Sequence, residues 1–222
     1  MPIATDTFTE HELRAAIMEE LEWAPQIDAA HIGVSVDEGV ITLSGEVRTY
    51  AEKLAADKAA LRVHGVTALA NEITVELADT PRTDADVASA ARSTLGWISM
   101  IPADSITVEV SDHVVTLSGS VDWEYERQSA ARAVGHLTGV AGVVNRVELN
   151  GRSHSPATEE SIKRSLDRQF SVGGNKIVAT VEDTQVVLRG IVDSWDEKRQ
   201  AARTAWSSPH VTDVENLVKI RR

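Results

Sequence analysis

Histidine is the side chain best suited to metal ligation or acid–base work near neutral pH. This chain of 222 residues has seven: His11, His31, His64, His113, His136, His154 and His210. None stands in a His-x-x-x-His pair and there is no cysteine to complete a site, so no zinc centre is expected. The carboxylates of Glu19-Glu20-Leu21-Glu22 and Asp37-Glu38 lack the alternating ligands and central glycine of a calcium loop, and read as solvated surface. Ser44 and Ser118 stand beside glycines, but not in a Gly-x-Ser-x-Gly elbow, and the matching residue of a third stretch is Arg189. Gly173-Gly174 is not followed by Gly-Lys-Ser/Thr and reads as a turn rather than a phosphate loop. The sequence therefore predicts no catalytic group, no metal site and no cofactor.

Binding is the remaining chemistry. The regular polar positions are Asn71, Asn145 and Asn216. Each reads either as a side chain bonding local backbone at the entry to a strand, or as a ligand contact made three times. Trp206 stands where earlier stretches carry Leu61 and Gly135, and reads as core filling. Trp123 and Trp195, with Tyr50 nearby in the first copy, open helices and offer anchors for a partner or a membrane interface.

The net charge of −12 argues against nucleic acid as a partner. It is unevenly spread: −10 over residues 1–80, −3 over 81–152 and +1 over 153–222. The last third alone has enough basic residues to meet an anionic partner. Trp195, Lys198, Arg199 and Arg203 form the expected surface, Trp195, Arg199 and Arg203 at helical i, i+4 spacing. Pairing of these charges with Asp193, Asp196 and Glu197 on a solvated helix is the competing reading.

These residues hang on a stretch that the chain writes three times: Gly39-Val-Ile-Thr-Leu-Ser-Gly-Glu-Val47, His113-Val-Val-Thr-Leu-Ser-Gly-Ser-Val121 and Thr184-Gln-Val-Val-Leu-Arg-Gly-Ile-Val192. A β-branched run reads as a strand, and an internal glycine marks a bend, a bulge or a close backbone approach. Gly45, Gly119 and Gly190 are therefore structural positions, expected near the following helix. Ahead of each strand, apolar residues at i, i+4, i+8 predict a helix: Leu13, Ile17, Leu21; Val87, Ala91, Leu95; Ile162, Leu166, Phe170. Thr9-Glu-His-Glu12, Thr83-Asp-Ala-Asp86 and Thr158-Glu-Glu-Ser161 mark the helix starts. Alternating residues such as Ile32, Val34 and Val36 predict a first strand, turning through Asp37-Glu38-Gly39 into the repeated one. Alanine-rich helices follow over about 50–63, 123–137 and 194–206, then a last strand.

The pattern resembles the BON domain family. The resemblance rests on Val-x-Leu-x-Gly-x-Val, on the pairs Glu52-Lys53, Glu126-Arg127 and Glu197-Lys198, and on endings such as Gly139-Val140…Val143…Asn145. The third copy departs from it at His210 and in a shorter loop before Ile177. The expected fold is α+β: three tandem αββαβ units over 8–78, 83–150 and 157–221, each a three-stranded mixed sheet covered on one face by two helices. Asp79-Thr-Pro-Arg82 and Asn150-Gly-Arg-Ser-His-Ser-Pro156 are the expected linkers. The resemblance implies a non-enzymatic role in osmotic and envelope stress, through anionic phospholipid surfaces or client proteins. A soluble holdase or scaffold with no lipid role is the alternative. The first ten residues show no basic n-region or apolar h-region, and no apolar run reaches membrane-spanning length. A cytoplasmic location is expected unless a leader has been removed.

Overall fold

The computed structural model describes residues 9–77, 82–102, 104–151, 156–170, 177–208 and 210–221, without the side chains of 156–159, 169 and 170. It has three units of one plan. The first runs α1 (Glu10–Trp23), β1 (Ile32–Asp37), β2 (Val40–Val47), α2 (Tyr50–Ala60) and β3 (Ala68–Val75). The second runs α3 (Asp84–Trp97), β4 (Ile106–Ser111), β5 (Val114–Val121), α4 (Glu124–Gly135) and β6 (Gly142–Leu149). The third runs α5 (Pro156–Phe170), β7 (Ile177–Glu182), β8 (Gln185–Val192), α6 (Trp195–Trp206), β9 (Asp213–Asn216) and β10 (Lys219–Ile220). This is the predicted α+β architecture.

In each sheet the glycine strand is central. β2 pairs antiparallel with β1 through a hairpin and parallel with β3 across a helix, and β5 and β8 repeat the arrangement. The first two hairpin turns have left-handed backbone at two residues, which right-twisted strands favour, and the third has it at Asp183, φ 54°. Glu38 and Gly39 supply it at φ 46° and 79°, Asp112 and His113 at 49° and 62°.

Burial follows the helical stripes. Leu13, Ile17 and Leu21 of α1 close over Ile41, Leu43 and Ile73, and Val87, Ala91 and Leu95 of α3 over Val115, Leu117 and Val147. Ile162 and Leu166 of α5 close over Val186, Leu188 and Val192. The side chain of Phe170, expected to complete that stripe, and Gly173-Gly174 lie outside what is described. Burying a side chain of this size contributes roughly 1.5–3 kcal/mol, so each small unit depends on its few aliphatic residues.

Three details differ from the sequence reading. The helix α5 starts at Pro156, where a missing N–H costs nothing, rather than capping at Thr158. The helix α2 ends at Ala60, and Gly65 at φ 93° carries the turn towards β3. The last strand of unit 3 is broken into β9 and β10, both parallel to β8. Most of both expected linkers, residues 79–81 and 152–155, lies outside the described residues; the flanking Arg82 and Gly151 are exposed.

Candidate functional site

The thrice-written residues fix backbone. Gly45 sits at φ 117°, and a Cβ there would lie 2.0 Å from the His31 carbonyl oxygen; at Gly119, φ 125°, it would lie 2.1 Å from that of Ser105. The close approach is to the chain entering β1 and β4, not to the following helix as the sequence reading expected. The third glycine, Gly190, lies in β8 opposite Ile177.

The asparagines clamp the last strand. Asn71, Asn145 and Asn216 accept, through Oδ1, the amides of Ile73 (2.9 Å), Val147 (3.2 Å) and Val218 (3.2 Å). Their Nδ2 groups reach the helix: Asn145 donates to the Arg127 carbonyl at 3.0 Å and Asn216 to that of Lys198 at 2.8 Å. Asn71 instead donates to Asp57 Oδ1 at 2.6 Å. Burial pushes the Asp57 carboxyl up, against the opposing effects of Asn71 and Lys53.

A third repeated role was missed in the sequence reading. The acidic member of each pair lies seven residues after the glycine in every copy. Glu52 accepts the amides of Asp28 and Arg48, Glu126 those of Asp122 and Trp123, and Glu197 that of Asp193. Apart from the Asp28 amide, which belongs to the chain entering β1, these are free N–H groups just before the following helix, where negative charge is favoured. Constant spacing was the available signal.

The expected anionic-partner surface is divided. The Trp195 indole turns to the first unit, donating to the Val66 carbonyl at 2.9 Å and packing against that unit's core. Lys198 Nζ stands 5.3 Å from the Trp195 ring centroid, and Arg199 pairs with Asp196. Arg203 lies elsewhere: with Arg168 it lines a cleft of about 420 Å³ between α5 and α6, completed by Ser165, Gln200, Thr204 and Ser207. That lining carries two guanidinium groups and no carboxylate. Trp206 is half-buried against its own core and also faces unit 2, with the Arg127 guanidinium 4.9 Å from its ring centroid. By contrast Trp23 and Trp97, at matching ends of α1 and α3, are 83% and 87% exposed.

No group of three or more metal-ligating side chains occurs among the described residues. The His113 ring stands 3.1 Å from the Gly139 carbonyl, beside a hairpin whose amides Asp84 accepts. No helix of the described residues is long and apolar enough to cross a membrane.

Osmotically-inducible protein Y of Escherichia coli (strain K12) is 30% identical over 139 residues, covering 60% of this chain and 67% of that protein. Among solved structures, CdsD, a structural protein of the type III secretion system of Chlamydia trachomatis, aligns over 94% of this chain and 92% of its own at 15% identity and a TM-score of 0.26. A structure of its C-terminal domain aligns over 97% and 100%, at 14% identity and a TM-score of 0.25. The BON domain matches three times, over residues 9–76, 83–151 and 155–222, so the chain belongs to the BON domain family, with three copies in tandem.

Proposed function

We propose that this is a non-catalytic, osmotic-stress-associated protein whose third unit contacts anionic phospholipid surfaces through the cleft between α5 and α6. The stress association is carried over from its similarity to osmotically-inducible protein Y. The observation behind the lipid contact is the convergence of Arg168 and Arg203 on one open cleft, in the one unit that is not net negative. Guanidinium groups match phosphate oxygens in a bidentate geometry that a lysine cannot reproduce. Lys163 and Arg164 are exposed on the same helix as Arg168, Arg164 opposite the buried Ile162 and Leu166 and 3.9 Å from Glu160. Of the surface expected from sequence, Arg203 is kept and joined by Arg168, while Trp195, Lys198 and Arg199 are not part of the proposed contact.

Each basic residue held near an anionic membrane contributes roughly 1 kcal/mol. The full chain should co-sediment with vesicles containing anionic lipid at low salt, and not with neutral ones. The double variant Arg168→Glu and Arg203→Glu should reduce the partition coefficient by at least about tenfold. Equal sedimentation with neutral vesicles, or an unaffected double variant, contradicts the reading.

A second reading, contact with client proteins, is favoured by Trp23 and Trp97. An aromatic left almost wholly in water at matching places in two units fits a hydrophobic partner. Here Trp23→Ala with Trp97→Ala should abolish suppression of client aggregation and leave vesicle binding intact.

A further inference from the structure

We propose that the three units form one closed body, latched by the helix that follows each glycine strand, with Trp195 as the latch joining the third unit to the first. The tandem copies need not touch at all, since their cores are separate. Yet each pair of units makes a specific contact, and each contact uses the same part of the fold.

Tyr50 and Trp195 occupy the same position, the first residue of α2 and of α6. Tyr50 of unit 1 packs against the core of unit 2. Its ring lies where a Cβ on Gly135 would be 3.3 Å away, and it has a backbone hydrogen bond with Val143. Partial burial pushes its phenol up. Trp195 of unit 3 packs against the core of unit 1 and donates its indole N–H to Val66. Each thus bonds backbone at, or just before, the last strand of its neighbour, β6 or β3. Those strands are sheet edges, whose open amides and carbonyls invite association unless covered.

The remaining contact has its aromatic on the other side. Unit 2 carries Glu124 at the position of Tyr50 and Trp195, and unit 3 carries Trp206 at the position of Gly135 and Leu61. Arg127 of unit 2, held by Glu124 at 2.6 Å, stacks over that Trp206. Tyr50 is large where Gly135 is small, and Trp206 is large where Glu124 leaves its unit without an aromatic. The units therefore contact cyclically, 1 on 2, 2 on 3 and 3 on 1. This commits the Trp195–Lys198 face of α6 to the interior and leaves the Arg168–Arg203 cleft outside.

The test uses the full chain. Nuclear magnetic resonance should find the Trp195 indole N–H protected from exchange at least tenfold relative to those of Trp23 and Trp97. Small-angle scattering should show a compact particle that expands in Trp195→Ala, with its circular dichroism unchanged. Trp195→Phe, which keeps a smaller aromatic ring but loses the donor, should expand less, and Trp23→Ala not at all. The proposal is overturned if Trp195 exchanges as fast as Trp23, or if folded Trp195→Ala scatters like the parent. Should Trp195→Ala fail to fold, the exchange rates of the unaltered protein decide between the two outcomes on their own.

Discussion

A Cβ on Gly119 would stand 2.1 Å from a backbone oxygen, a distance that no rotamer change relieves. The backbone there is also left-handed, which disfavours any side chain. Gly119→Val should therefore cost on the order of 1–3 kcal/mol and lower the melting temperature, as should Gly45→Val. Denaturant unfolding measures this, and unchanged stability in both variants contradicts it. The sequence marked these glycines because a glycine interrupting a β-branched run needs a reason. It did not reveal what they approach, since the chain entering β4 is brought there by the hairpin. The asparagines were readable as local backbone partners because Oδ1 reaches the amide two residues on. The hidden role of Glu126 needed the loop after β5 folded back over the start of α4.

At the scale of elements, two helix starts carry matching capping boxes, and both were legible because capping is a contact within four residues. Bonds from the Thr9 amide and hydroxyl hold the Glu12 carboxyl below its ordinary value. The Thr83 hydroxyl and then its amide do the same for Asp86. A carboxylate lowered on folding adds stability above its unfolded pKa, and that contribution is lost as pH falls through the folded value. Asp57, raised by burial, has the opposite sign: its contribution is lost as pH rises through its raised value. Thr9→Ala with Thr83→Ala should accordingly flatten the fall in melting temperature between about pH 6 and pH 3. An acid limb as steep as that of the parent argues against the caps as its source. The start of α5 was misread because Thr158-Glu-Glu-Ser161 imitates the capping pattern, while Pro156 already fits the first helical turn.

For the molecule as a whole, the repeat made three units plain, whereas the contacts between them were not legible. Tyr50, Trp123 and Trp195 were visible as aromatics at helix starts, but the partners of Tyr50 and Trp195 depend on how separate units assemble, whereas Trp123 stacks on Tyr125 of its own unit. Trypsin should cut first after Arg82 and Arg152, in the connections between units, before any site within α2 or β8. If the latches hold, the nicked fragments will co-elute on gel filtration; early cuts after Lys53 or Lys58 would place the boundaries wrongly. The acidic first unit and the arginine cleft of the third divide the surface by charge, and that division underlies the proposed role. Amide hydrogen exchange of the full chain, with and without anionic vesicles, tests it most directly. Added protection should be confined to α5 and α6 around Arg168 and Arg203, and lost when the vesicles are neutral; protection centred on α1 and α2 of the first unit, or none anywhere, would contradict the proposed role.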